Sequence, residues 1–463
     1  MLVGAAWVRM SGLSGAGLSS DEAVYIGQGV AVAGDPSWSA VRAHPPLLGV
    51  IVEVVTGGGA GDLGARSLSV AFGLAAVVVA ALLARELGGV TAGLTAGAVV
   101  ALMPYHRDVT RLALVEVPMA TVAGLGLLLV VRGARTGRPR LLAAAGATFG
   151  VATLFKETAL LTVLAVVLAL LVGDPRVPAR VALRAGAWFA GVAALYPAWL
   201  AATGGLARAA DYLFWQTGRR GTDPVPFYLD LVAPRVGWAV LAAACVGAVV
   251  AGRARLPGVT AVVLAVVVPL GFYLVWPVHG YPYLLVVVVP LSALVGVAVA
   301  ALADRLRQGR LLRLAPWVLA VAVALAGPAA ASPQPPDVAG ASGVAGLREA
   351  SSWLRAADAR TVVTAAPWVA NIVRHYTPEA TVTSLARELD LDAVNPAYRG
   401  GPPALPGGRV HVVWDAWSAA SDPMGTAALL AEARGRGARV AHVELAEPGS
   451  RPRILLVVLA VDP

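Results

Sequence analysis

The sequence predicts a polytopic α-helical membrane protein of about eleven spans followed by a small extracytoplasmic α/β domain, and three observations carry that expectation. The first is composition: 58% of the 463 residues are hydrophobic and only 14% are charged, against roughly 25% charged residues in ordinary soluble domains. Mean hydropathy is +0.74. The second is spacing. Runs long enough to cross the hydrocarbon core, which takes about 20 mostly apolar residues, recur along the chain with arginines in the short loops between them. The third is a change of character after about residue 340, where polar residues return and helix-like stretches alternate with β-rich runs.

Taken in order, Met1 to about Leu18 is too short and too rich in Gly and Ser for a span. It also lacks the charged start, apolar middle and cleavage site of a signal peptide, so it reads as a truncated first span. From Asp21 to His44 the chain is amphipathic, with Val24, Val30 and Val32 apolar and Trp38 as an interfacial anchor, which predicts one or two short helices along the membrane surface. The expected spans are about 65–84, 89–104, 111–131, 141–155, 157–173, 184–203, 231–251, 257–276, 281–303 and 312–331. One side collects Arg85, Arg132, Arg135, Arg138, Arg140, Arg176, Arg180, Arg184, Arg253, Arg255, Arg305, Arg307, Arg310 and Arg313. Retention of positive charge makes that side cytoplasmic. Loops 19–64, 105–110 and 204–230, the Lys156-Glu157 hairpin and 277–280 then face outward, as does everything after about residue 332. The domains expected are 1–332, a Pro-rich linker over 333–340, and 341–463. In the last, helices over 343–357, 367–377 and 424–436 alternate with strands at 361–363, 410–414 and 454–458, which predicts a largely parallel sheet.

Several functions are excluded or unsupported. The formal charge of +9 and pI near 10.2 invite nucleic acid, yet the arginines sit between spans where membrane topology explains them, so no nucleic-acid partner is expected. The single cysteine, Cys245, forms no intramolecular disulfide and no Cys-rich metal site. Lys156 is the one lysine among many arginines, which a GC-rich genome explains. The tail has no Gly-rich phosphate fingerprint, metal-ligand spacing or nucleophile elbow. Asp415, after the 410–414 strand, stands where such sheets bind ligands; the plainer reading is a carboxylate capping the next segment.

Polar residues gather at the outer ends of spans. Asp21 and Glu22 begin the first surface segment, and adjacent helical residues point about 100° apart, so one can face a cavity while the other caps the helix. Simple capping by both is the alternative. His44-Pro45-Pro46-Leu47 fixes an extended turn that holds an imidazole near the headgroups. Glu116, inside an apolar run, is costly unless it meets a cavity or a partner. On a continuous helix Arg111 and Glu116 would be about 140° apart, so Arg111 has a structural alternative, paired with Asp108 three residues earlier. Lys156-Glu157 and His279-Gly280-Tyr281-Pro282-Tyr283 lie on the same face, and the loop from Asp211 to Asp230 adds Trp215, Arg219, Arg220 and Asp223. Tyr and Trp at span ends also serve as interfacial belts.

Together these residues resemble the polyprenyl-phosphate-sugar-dependent membrane glycosyltransferases of the GT-C fold, which include protein O-mannosyltransferases and lipid A aminoarabinose transferases. The resemblance rests on Asp21-Glu22-Ala23-Val24-Tyr25, His44-Pro45-Pro46-Leu47, the run from Arg111 to Glu116-Val117-Pro118, Lys156 at a span mouth, and Tyr281-Pro282-Tyr283-Leu284-Leu285 followed by Pro290. It covers roughly residues 15–300, and the short first span departs from it. The resemblance implies that Asp21, with Glu22 beside it, is the catalytic base or a metal-contacting acid. Glu116 stands where many relatives carry Asp, and His44 where they carry Lys or His. It implies a polyprenyl-phosphate sugar donor and a glycan, lipid or protein acceptor, in a cell membrane.

The chemistry gives each residue a task. The leaving group is a phosphate, whose charge calls for cations, a role spread over His44, Lys156, Arg111, Arg219 and Arg220. A carboxylate must deprotonate the acceptor, and Asp21 is the first choice. Glu116 orients the acceptor or, with Asp21, holds a divalent cation, for which oxygen ligands suit Mg, Mn or Ca. Tyr281 and Tyr283 line the acceptor or the interface. Attack opposite the phosphate inverts the anomeric centre, an expectation from the resemblance. The alternatives are a transporter or flippase, which would show paired broken helices and midplane charges, and an inactive scaffold.

Overall fold

The computed structural model describes residues 1–13, 17–35, 38, 44–57, 61–218, 224–276, 278–306, 346–384, 405–421, 423–446 and 453–462. The chain forms two compact units, one of Met1–Leu13 with Gln28–Pro335 and the other of Ser14–Gly27 with Pro336–Pro463.

The first unit is helical. Its longest helical stretch, Asp62–Leu102, is two helices joined at Gly88 and Gly89, where Gly89 has φ 77°. A side chain there would be strained, so glycine permits the break. The second half folds back along the first: a Cβ on Gly93 would meet the Ala81 carbonyl at 2.7 Å. This hairpin corresponds to the expected spans 65–84 and 89–104. Further on, Glu116–Thr136, Pro139–Phe155, Ala179–Thr203, Trp238–Arg253, Val259–Val275 and Tyr281–Arg305 follow the order of the expected spans. The last is the axis of the unit, with 89% of its most apolar window buried. It is packed by the Asp62–Leu102 hairpin, Trp238–Arg253, Val259–Val275 and Glu116–Thr136. The expected span at 312–331 lies outside the described residues.

Composition and these apolar helices make the chain a multi-pass membrane protein. Among the described residues four helices are long and apolar enough to cross a bilayer alone, or five if the bent pair Pro224–Val236 and Trp238–Arg253 is one span, so the count of about eleven is not recovered by length. The difference comes from length: Pro139–Phe155, Glu157–Leu171 and Val259–Val275 are shorter apolar helices, and the Asp62–Leu102 hairpin counts as one stretch. Lys156, extended at φ −157° and ψ 133°, cuts one apolar stretch into Pro139–Phe155 and Glu157–Leu171. A 17-residue helix rises roughly 26 Å, a little short of the core thickness of about 30 Å.

Two local expectations are corrected. Helix does not run through 111–116: Pro104–Val109 is a short helix, residues 110–115 form a turn, and Glu116 opens the next helix. The segment 21–44 has one described helix, Ser20–Val32, with residues 36–37 and 39–43 outside the description.

The second unit contains a five-stranded sheet, β1 (Thr361–Thr364), β2 (Thr381–Ser384), β3 (Val410–Asp415), β4 (Arg439–Ala446) and β5 (Arg453–Val461), in the order β2-β1-β3-β5-β4. β1 is parallel to β2 and β3, whereas β5 is antiparallel to β3 and β4. The sheet is therefore mixed rather than largely parallel, because β4 and β5 are joined by a connection too short for a crossover. Helices Leu347–Ala356, Pro367–Tyr376 and Pro423–Gly435 accompany it. Val410, Val412, Leu429, Ala433, Leu459 and Val461 form the core under one face.

Candidate active site

In the helical unit, four of the sequence-predicted residues converge on one turn. Lys156 is buried at the break between two helices, and its Nζ donates to Glu116 Oε1 at 2.5 Å, both side chains being 3% exposed. A buried cation and a buried carboxylate are tolerable only as such a pair. The same ammonium sits 4.4 Å from the centre of the Tyr283 ring, a cation–π contact. The next residue, Glu157, takes His44: Nδ1 lies 3.0 Å from both carboxylate oxygens. Adjacent residues thus gather Glu116 from one helix start and His44 from the Pro-Pro turn. Gln28 Nε2 donates to the His44 carbonyl at 2.9 Å, which fixes the turn further. Glu116 Oε2 is buried with no hydrogen-bond partner among the described residues.

Beside this cluster lies a second one that the sequence reading missed. Asp108 accepts from Arg107 at 2.8 Å through Oδ1 and from Arg235 at 2.8 Å through Oδ2. The expected Arg111–Asp108 pair is therefore corrected: Asp108 is held by other arginines, and Arg111 Nη2 donates to the Ser11 carbonyl at 2.7 Å. Arg235 also lies over Tyr281. Tyr281 is fully buried rather than part of an interfacial belt, with its ring 5.1 Å from Tyr105 and its carbonyl accepting the Tyr105 hydroxyl at 2.6 Å. The signal for Arg235 was present, a charge at the start of an apolar run. Arg9, likewise buried, donates to the carbonyls of Ala5, Val100 and Ala101 and to Thr110 Oγ1, a structural tie. Arg219, Arg220 and Asp223 lie outside the described residues.

In the other unit, Ser19 to Glu22 makes a reciprocal cap. The Ser19 backbone N–H donates to Glu22 Oε2 at 2.8 Å, and the Glu22 N–H donates to Ser19 Oγ. This S-x-x-E capping box satisfies two donors at the start of Ser20–Val32. Glu22 is buried and used as a cap, while Asp21 is exposed. Asp415 is also a cap, accepting the Ser418 N–H at 2.7 Å.

No group of three or more His, Cys, Asp or Glu side chains among the described residues is arranged to hold a metal ion, and Glu116 gives one oxygen to an ammonium instead.

Comparisons with known proteins bear on this geometry. A profile of the dolichyl-phosphate-mannose-protein mannosyltransferase family matches residues 43–201, the stretch that contains His44, Glu116 and Lys156. The fold is that of a polytopic helical membrane protein with a small C-terminal sheet. It is similar to ArnT from Cupriavidus metallidurans in the apo state, with TM-score 0.70 and 15% identity over 99% of this chain and 97% of that one. The same protein bound to undecaprenyl phosphate aligns at TM-score 0.68 and 16% identity, over 99% and 97% of the two chains. The Archaeoglobus fulgidus oligosaccharyltransferase in complex with Zn and sulfate aligns at TM-score 0.55 and 13% identity, over 98% of this chain and 72% of that one. No curated protein sequence matches the chain. The resemblance read from the sequence motifs thus extends to the whole fold.

Proposed function

We propose that this protein is a glycosyltransferase that moves a sugar from a polyprenyl-phosphate donor to a glycan, lipid or protein acceptor at the outer membrane face. One observation carries the reading: consecutive residues Lys156 and Glu157 gather Glu116 and His44 at the break between two helices, the Lys156–Glu116 pair buried and Glu157 exposed at its edge, in the stretch matched by the mannosyltransferase profile. Such a membrane-embedded charge constellation is expensive to maintain and marks function. That the fold is shared with a protein seen bound to undecaprenyl phosphate supports a lipid phosphate as the ligand.

In this reading Lys156 and His44 stabilise the phosphate as it leaves, with Arg111, Arg219 and Arg220 as further cations. Lys156 is held in place by Glu116, and its ammonium is the cation that meets a phosphate oxygen. The unpartnered Oε2 of Glu116 accepts a hydroxyl of the bound sugar or acceptor. Asp21 takes the proton from the acceptor hydroxyl or amine as that atom attacks the anomeric carbon. The bond to phosphate breaks with its electrons on oxygen, and the anomeric centre inverts. Glu22 keeps the Asp21 helix start in shape. Tyr283 backs the ammonium and Tyr281 supports the floor of the cluster, next to the acceptor path. No step runs through a metal. The arginine-rich loops face the cytoplasm, and residues 341–463 lie outside the cell.

The test is transfer of radiolabelled sugar from a panel of polyprenyl-phosphate sugars by the purified protein in lipid vesicles. One donor should yield labelled acceptor and free polyprenyl phosphate in equal amounts. Movement of intact donor across the bilayer, with no bond cleavage from any member, would instead establish the flippase alternative, which the comparisons leave without support.

A further inference from the structure

The acid-bearing segment is bound by the α/β unit. Residues 14–27 belong to the same compact unit as the C-terminal sheet, although more than 300 residues separate them in sequence. The Leu18 N–H donates to Tyr376 Oη at 2.8 Å. Asn371 Nδ2 donates to Ser20 Oγ at 3.4 Å. Both partners come from helix Pro367–Tyr376, which packs on the sheet through Val369, Ala370, Ile372 and Val373, all buried. Leu18 is wholly buried. Gly17 passes so close that a Cβ would lie 3.3 Å from Arg348 Cβ and 3.4 Å from Tyr376 Oη. Asp21 follows directly after these anchors, at the first turn of the helix that the Ser19–Glu22 box caps.

We propose that Tyr376 and Asn371 are positioning residues for the catalytic acid: the α/β unit fixes residues 18–20 so that Asp21 is presented in one orientation. This rests on Asp21 being the base, as proposed above. The physical reason is that a general base works only when held within hydrogen-bond reach of the proton it removes, and a 1 Å misplacement costs rate steeply. The direction of the Asp21 side chain, on the first turn of its helix, depends on the backbone that carries it. Two hydrogen bonds from one rigid helix fix that backbone, and they give the extracytoplasmic domain a role in catalysis rather than in acceptor capture alone.

The test measures transfer kinetics for Tyr376→Phe and Asn371→Ala in the full-length protein, alone and combined with Asp21→Asn. Tyr376→Phe keeps the ring and deletes only the acceptor oxygen. Losing one neutral hydrogen bond predicts a fall in kcat of about 3–10-fold, with donor KM unchanged and no further fall in the Asp21→Asn background, since there is then no base to misplace. Faster amide exchange at Leu18 in Tyr376→Phe should accompany it. An unchanged kcat in both variants, or the same fractional loss with and without the Asp21 carboxylate, overturns the positioning role while leaving the base intact. The base itself is read separately from Asp21→Asn alone: wild-type rates there remove the foundation of the inference. Should Asn371→Ala fail to fold, Tyr376→Phe decides.

Discussion

The Lys156–Glu116 pair gives the sharpest energetic prediction. Both side chains are 3% exposed and meet at 2.5 Å. Replacing Lys156 with Met keeps the length and apolar stem but leaves the Glu116 carboxylate buried without its cation. Breaking a buried pair from one side costs about 3–5 kcal/mol, whereas removing both charges is often close to neutral. At roughly 2 °C per kcal/mol for a chain of this size, Lys156→Met should lower the apparent melting temperature in detergent by roughly 6–10 °C. Adding Glu116→Gln should recover much of that, with a coupling energy of about 2–3 kcal/mol. The assay is tryptophan-fluorescence melting at a fixed scan rate on all four proteins of the cycle. Sugar transfer should stay lost in the double variant, because the proposed phosphate cation is gone. A double variant no more stable than Lys156→Met would refute the coupling, and recovered transfer would refute the assignment of Lys156.

Other expectations are narrower. Glu22→Ala removes half of the capping box and should destabilise by about 1 kcal/mol, read as faster amide exchange over residues 19–23. Gly247 lies so near the Leu294 carbonyl that a Cβ has no room; Gly247→Leu should force Trp238–Arg253 away from the central helix, cost about 1–3 kcal/mol and appear as a lower melting temperature. His411 in β3 is buried with neither ring nitrogen hydrogen-bonded; burial first, then the Arg409 charge, lowers its pKa. The native state therefore holds the neutral ring. Its contribution to stability is intact above the ordinary histidine value of about 6.5 and is lost as pH falls below it. Protection of the β3 amides, taken relative to their intrinsic exchange rate at each pH, should fall between pH 7 and 5, and His411→Phe should flatten that dependence.

Much of this was legible from the sequence because membrane solvation imposes strong rules. Apolar runs and arginine loops gave the order of helices. His44, Glu116 and Lys156 stood out as polar residues where polar residues are costly, and they do come together. What could not be read was who pairs with whom. Spacing favoured Arg111 for Asp108, three residues away on an assumed helix; the turn at 110–115 removes that helix, and Arg235, 127 residues distant, takes the place. Likewise Glu157 looked like a hairpin cap and proves to hold His44. Strand β4 escaped notice because it is an edge strand with Val440 63% exposed and Val443 40% exposed, so its pattern resembles a surface loop. The capping box at Ser19–Glu22 was present in plain sequence, and it separates the roles of two neighbouring acids that composition treats alike.

The central claim is that an acid at the start of Ser20–Val32 drives transfer from a lipid-phosphate sugar. The most direct measurement is single-turnover transfer from the active donor by wild type and Asp21→Asn, with equal folding verified by melting. The account predicts a rate lower by about 10²–10⁴-fold in the variant, with polyprenyl-phosphate binding retained. Equal rates in the two proteins would contradict it and move the base elsewhere.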